Sequence, residues 1–255
     1  MHDAPLAIVS AMDEELRALL PELRGATRVR LAGRTFHCGH IRGHPVVLVL
    51  SGIGKVAAAT TAALLIHEFE APVLVFTGVA GGLHRDVNVG DVVVAHQLLQ
   101  HDMDASPLFP RFEVPLTGRS HFAADPVLAD ALSAAARRCL DRAEALIGAD
   151  RLRGFGIGEA LLHEGLVVSG DRFVASQAQG AELRALLPEA LAVEMEGAAV
   201  AQVCADFGVR FAVMRVISDR ADDSAHVDFS RFVADVASTY THAIIDDWLS
   251  NTPHP

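Results

Sequence analysis

The stretch Val46-Val47-Leu48-Val49-Leu50-Ser51-Gly52-Ile53-Gly54-Lys55-Val56-Ala57 sets a five-residue apolar run directly before two closely spaced glycines. A run of Val and Leu without alternation predicts a strand buried on both faces. The small residues that follow predict a helix over 56–69. A buried strand, a glycine turn and a helix make up the repeating unit of an α/β fold. The turn is not a phosphate-binding P-loop. That motif needs a glycine where Val49 stands and a hydroxyl residue where Val56 stands. It does fit G-x-G-x-x-A, the dinucleotide fingerprint. However, the next predicted strand ends at Phe76-Thr77-Gly78 with no acid to hold a ribose. A tight turn accounts for the glycines equally well, and no cofactor is expected.

Working outward, the same alternation recurs along the chain. Strands are expected at 6–10, on both sides of Arg42-Gly43-His44, and at 73–77, 91–95, 191–194 and 211–217. Helices are expected at 14–20, stopping near Pro21, and at 126–140, 181–187, 197–207 and 229–248. Two stretches, 102–122 and 141–162, resist assignment and read as elaborated loops. No linker, repeat or low-complexity tract divides residues 1–255, so a single α/β domain is expected.

The chain has 255 residues, 51% of them hydrophobic, with 21 Lys plus Arg against 32 Asp plus Glu. The net charge of −11 argues against nucleic-acid or anionic-membrane partners, since those surfaces need clustered cations. The first apolar run has no basic residue before it and meets Asp13-Glu14-Glu15, so no signal peptide is expected. No apolar run approaches the ~20 residues of a membrane span. Cys38, Cys139 and Cys204 are odd in number and lack CxxC spacing, which suits reduced thiols in the cytoplasm. His37, His40 and His44 cluster without a completing acid, and no metal site is expected. Trp248 reads as core.

Charged residues inside apolar runs are the stronger signals. Glu194 and Glu196 interrupt the run 191–203, and burying a carboxylate without a partner or a task is costly. An extended 192–196 would put both on one face, with Glu196 opening the next helix. Arg215 interrupts 211–217, which ends in Ser218-Asp219, where a strand would deliver side chains to a ligand crevice. An Arg–Asp ion pair in the core is the alternative. Gly78-Val79-Ala80-Gly81-Gly82 reads as a second glycine loop after a buried strand, either approached by ligand or turning at positive φ. Asp13-Glu14-Glu15 taken alone suits first-turn helix acids.

Seven segments in register carry a resemblance. They are Ala11-Met12-Asp13-Glu14-Glu15, Ser51-Gly52-Ile53-Gly54-Lys55, Thr77-Gly78-Val79-Ala80-Gly81-Gly82 and Val89-Gly90-Asp91-Val92-Val93. The others are Val168-Ser169-Gly170-Asp171-Arg172-Phe173, Val193-Glu194-Met195-Glu196-Gly197-Ala198-Ala199 and Arg215-Val216-Ile217-Ser218-Asp219. Together, from Ile8 to Phe232, the chain resembles the 5′-methylthioadenosine/S-adenosylhomocysteine nucleosidases of the nucleoside phosphorylase superfamily. The resemblance implies a central mixed β-sheet flanked by helices, no cofactor, and hydrolysis of an adenine N-glycosidic bond.

By that resemblance Asp219, oriented by Ser218, is the general acid at adenine N7, and it must stay protonated near neutrality. Glu15 is the base for the attacking water, which Arg215 helps hold. Glu196 accepts from the ribose hydroxyls. Phe173 stacks on the base and the Val174 backbone reads its edge. Met12 and Met195 pack around the ribose and alkylthio group, while Val79 and Gly81 line the site. Val79 stands where many relatives carry Ser or Thr, which removes a hydroxyl near the ribose. Residues near Ile53 and after His101 are expected to reach a partner's 5′ pocket, implying a homodimer. Competing readings are a related hydrolase or a phosphorylase acting on aminodeoxyfutalosine or inosine, or a nucleoside-binding protein without turnover. The resemblance also displaces the helix-acid reading of Glu15.

Overall fold

The structure is a computed structural model and describes residues 4–221 and 229–252. Ten strands form one mixed sheet. Strands β1 (Leu6–Ser10), β4 (His44–Leu50) and β5 (Val73–Gly82) run parallel at its centre. Strand β4 carries the apolar run 46–50, in which Val46, Val47, Leu48 and Val49 are buried. Beyond it lie β3 (Arg34–Ile41) and β2 (Arg24–Leu31), paired antiparallel as an outer wing. On the other side β10 (Arg210–Asp219) lies parallel to β5 and antiparallel to β6 (Val92–Gln100). Strand β8 (Leu162–Ser169) pairs β6, β9 (Ala190–Glu194) pairs β8, and β9 returns to β5 at Gly81 and Gly82. The pairings thus close a ring, β5–β10–β6–β8–β9, with the wing attached through β1. The short β7 (His121–Ala123) pairs β6.

Helices cover both faces, because each central strand is apolar on both. Ile8, Leu48 and Val75 face one core, shared with Leu16 and Leu19 of α1 (Asp13–Leu19) and with Leu128 and Leu132 of α3 (Pro126–Leu140). Val9, Val49 and Phe76 face the other, shared with α2 (Lys55–Glu68) and α7 (Gly197–Phe207). Trp248 is buried in the first of these cores, as the sequence suggests. Among the described residues no helix is long and apolar enough to cross a membrane.

Several elements differ from the sequence expectation. Strand β5 does not stop at Thr77 but continues through Gly82, so the expected second glycine loop is strand. Gly78, Gly81 and Gly82 do not adopt positive φ. They are small because β10 side chains stand over them. A Cβ on Gly78 would lie 3.2 Å from the Arg215 guanidinium carbon, and one on Gly81 would lie 2.8 Å from Asp219 Oδ1. The expected loop 141–162 instead holds two short helices, α4 (Ala143–Ile147) and α5 (Ala149–Gly154). The expected helix 181–187 begins earlier, as α6 (Gln177–Leu186), capped by Ser176. The last helix is divided into α8 (Phe229–Phe232), a π-helical turn over Val233–Ala237, and α9 (Ser238–Asn251).

Candidate active site

The carboxyl ends of β1, β5 and β10 open onto one cleft of about 220 Å³. Its wall is mainly apolar, from Met12, Ile53, Val79, Phe173, Val174, Met195 and Phe229, and its polar groups are few. Such a lining suits a flat, partly apolar small molecule fixed by a handful of convergent polar atoms.

Asp219 ends β10 and is buried in the cleft wall. Its Oδ2 accepts from the Ser218 hydroxyl at 2.8 Å and its Oδ1 from the Ala221 amide at 2.8 Å. The missing side chain of Gly81 makes room for that carboxyl. Glu196 lies at the head of α7, also buried and in the wall, with Oε1 accepting from Gly54 N at 2.8 Å. Burial, and after it the Glu194 carboxylate, pushes the Glu196 carboxyl upward. The turn containing Gly54 has φ near +76° at Gly52 and +89° at Gly54, values that favour glycine. The fingerprint-like glycines therefore present a backbone amide to a carboxylate of this cleft.

Glu194 and Glu196 do not share a strand face, because β9 ends at Glu194 and Glu196 has already left extended geometry. Glu194 turns inward instead. It accepts from the Glu196 and Gly197 amides at the start of α7, takes a short hydrogen bond from Ser169, and pairs with Arg215 Nη2 at 2.6 Å. A carboxylate at a helix N-terminus is favoured by the exposed amides. The core ion pair of Arg215 is thus made with Glu194 and not with Asp219. Arg215 is fully buried, lies over the Phe76 ring at 4.2 Å, and donates from Nη1 to Phe76 O and Met214 O. Its Nε has no hydrogen-bond partner among the described residues.

Glu15 is fully buried in the first turn of α1. Its Oε2 accepts from Met12 N at 3.2 Å and its Oε1 from the Thr241 hydroxyl at 2.8 Å. Burial raises its carboxyl to about 7, with the Thr241 hydrogen bond and the Arg215 charge pulling it back down. So it is a first-turn acid by position, yet it is buried and has a proton affinity near neutrality. A helix-surface acid would have neither property.

Of the twelve residues singled out from the sequence, ten line the cleft: Asp219, Ser218, Glu196, Met195, Phe173, Val174, Met12, Val79, Gly81 and Ile53. Glu15 and Arg215 sit behind its wall, fully buried. Sequence reasoning missed Phe229 and Thr241. Nothing local marks Thr241, which meets Glu15 across 226 positions of chain.

Comparison with known proteins agrees with this geometry. The family model described as Phosphorylase superfamily matches residues 5–250. The chain is 35% identical over 242 residues to the 5′-methylthioadenosine/S-adenosylhomocysteine nucleosidase of Chromohalobacter salexigens, covering 94% of each chain. Among solved structures it is similar to the Neisseria meningitidis nucleosidase of that name in complex with methylthio-immucillin-A. The TM-score is 0.85 at 34% identity, covering 98% of this chain and 100% of that one. A Streptococcus pyogenes S-adenosylhomocysteine nucleosidase in complex with 5-methylthiotubericidin matches with TM-score 0.84 at 31% identity, covering 99% of each.

Proposed function

The chain belongs to the phosphorylase superfamily, among its 5′-methylthioadenosine/S-adenosylhomocysteine nucleosidases, and from that membership we propose how its site works. The protein is a purine nucleosidase. It hydrolyses the N-glycosidic bond of 5′-methylthioadenosine and S-adenosylhomocysteine, releasing adenine and the 5-thioribose product.

The reaction poses two problems: adenine leaves poorly as an anion, and the ribosyl group becomes cationic. Protonated Asp219 gives its proton to adenine N7, held in aim by Ser218 and the Ala221 amide. Glu15 takes the proton of the attacking water, a task for which a carboxyl near 7 is well matched. The unpartnered Nε–H of Arg215 is the donor that holds this water. Glu196 accepts from the ribose hydroxyls, and their donation restores the ionised form that burial opposes. Phe173 stacks on adenine, the Val174 backbone reads its edge, and Met12 and Met195 enclose the ribose and thioether. Val79 and Gly81 floor the site without a hydroxyl.

The observation that carries this reading is an aimed Asp219 and a buried Glu196 in the wall of one apolar cleft, with a near-neutral Glu15 buried behind that wall. Two acids with separately tuned environments divide the roles of acid and base. Residues 1–255 act as one catalytic unit, since the ring and the wing both contribute to the two cores that carry the site. A homodimer completes the 5′ pocket. The support for it is apolar surface at Ile53, Val56, Leu108 and Leu116, each 74% to 90% exposed. The three cysteines are free thiols, which supports the cytoplasm as the compartment.

Incubation with methylthioadenosine in phosphate-free buffer tests the reading through free adenine. Release that Asp219→Asn abolishes is the expected result. A strict phosphate requirement would make the enzyme a phosphorylase, and no release from any adenine nucleoside would refute turnover.

A further inference from the structure

Two charged residues remain without a task in the mechanism: Lys55, which follows the glycine turn, and Asp102, which follows His101. The structure brings them together. Lys55 Nζ donates to Asp102 Oδ1 at 2.6 Å and to Gln100 Oε1 at 3.1 Å. The other oxygen of Asp102 accepts from the Asp171 amide at 2.9 Å. Asp171 Oδ1 in turn accepts from the Lys55 amide at 2.7 Å, so the three residues close a loop of hydrogen bonds.

That loop touches both halves of the substrate site. The residue before Lys55 is Gly54, whose amide holds Glu196. Two residues after Asp171 comes Phe173 in the cleft wall. Gln100 also donates to Gln202 Oε1 at 2.7 Å, on α7, the helix that Glu196 heads. Close approach leaves no slack in the arrangement. A Cβ on Gly54 would lie 3.0 Å from Asp171 Oδ1, and Gly170 lies flush against the His101 ring. The Lys55 side chain is only 16% exposed and Asp102 31%. Partly desolvated, charge-assisted bonds to backbone amides are stronger than the usual surface ion pair.

We infer that Lys55 and Asp102 are positioning residues that clamp the purine-holding segment, through Asp171, to the turn that holds the ribose carboxylate. The inference rests on the reading of Phe173 and Val174 as the purine contacts. The clamp fixes the spacing between two contacts on one ligand and touches no reacting atom. Its loss therefore weakens ground state and transition state alike, which raises KM and leaves kcat in place.

The test compares wild type with Lys55→Met, Lys55→Arg and Asp102→Asn. Adenine affinity is read by calorimetry, KM and kcat by adenine release from methylthioadenosine, and folding by Tm. The expected result is about a tenfold rise in KM and in the adenine Kd for Lys55→Met, with kcat within about threefold. Lys55→Arg should recover most of the affinity. Asp102→Asn should follow Lys55→Met, and it supplies the answer if Lys55→Met does not fold. A lowered Tm with unchanged KM and adenine Kd would overturn the clamp, as would a fall in kcat at constant KM. Adenine binding reads the clamp even without turnover. Wild type that binds adenine but releases none from nucleosides would refute the hydrolytic reading alone, and wild type that binds no adenine would overturn both.

Discussion

Thr241→Val should move the acidic limb of the pH–rate profile upward. The Thr241 hydroxyl donates to Glu15 Oε1 at 2.8 Å in a fully buried setting, and it lowers a carboxyl that burial has raised to about 7. Valine keeps the shape and removes the donor. A hydrogen bond to a charged acceptor contributes about 1.5–3 kcal/mol, and each pKa unit corresponds to 1.36 kcal/mol, so the shift is about 1–2 units. At pH 7 the ionised fraction of Glu15 would fall from about a half to between about a tenth and a hundredth, costing roughly 5- to 50-fold in rate. Activity should return as pH rises toward 9. The assay is kcat/KM for adenine release between pH 5 and pH 9, since that ratio reports ionisations of the free enzyme. Thr241→Ser, which restores a hydroxyl, should restore the profile. A loss of activity equal at every pH would refute the reasoning, because the hydroxyl would then be acting on geometry and not on proton affinity. An unmoved limb would show that the group titrating there is not Glu15.

The remaining predictions concern stability and alignment. A Glu15 carboxyl raised from 4.5 to about 7 favours the folded state fully below 4.5 and loses that contribution as pH climbs through 7. Wild type should therefore lose roughly 3 kcal/mol relative to Glu15→Gln between pH 4.5 and pH 8 in urea titrations, and a constant difference would contradict the raised value. Gly81→Ala puts a methyl 2.8 Å from Asp219 Oδ1 without backbone strain. Displacing the acid should lower kcat about 100-fold while the circular dichroism spectrum stays native. Arg215→Met leaves Glu194 buried and unpaired, so unfolding free energy should fall by about 3–5 kcal/mol. Adding Glu194→Gln should recover part of that loss, and no recovery would mean that the pair is not the source of the cost.

The chain announces its fold wherever burial on two faces leaves an uninterrupted apolar run. Strands β1 and β4 are therefore legible to within a residue or two, while helices α3 and α7 are legible by the spacing of their apolar positions. Strand β2 is not, because its residues are exposed and it carries three arginines, Arg24, Arg28 and Arg30. It is a strand only because β3 supplies hydrogen bonds. Strand β8 opens with Leu162, His163, Glu164 and Gly165, and becomes strand through parallel pairing with β6. The site divides in the same way. Glu194, Glu196, Arg215 and Asp219 stand out because charge in an apolar run demands an explanation. Which partner each takes does not follow from the run: Arg215 turns to Glu194 because β9 and β10 both border β5, a fact of topology. Taken by its own position Glu15 reads as a helix acid, and only the family resemblance singles it out, since its burial depends on α9 laid over it from the far end of the chain.

The π-helical turn at Val233–Ala237 adds a residue to a helix that otherwise repeats every 3.6. One extra residue advances everything after it by about 100° around the axis. Thr241 follows four positions later. The proton affinity of Glu15 is therefore tied to the phase of a helix more than two hundred residues away. Deleting one alanine from that turn would change composition hardly at all, yet it would turn the hydroxyl off the carboxylate and retune the enzyme to a more alkaline working range.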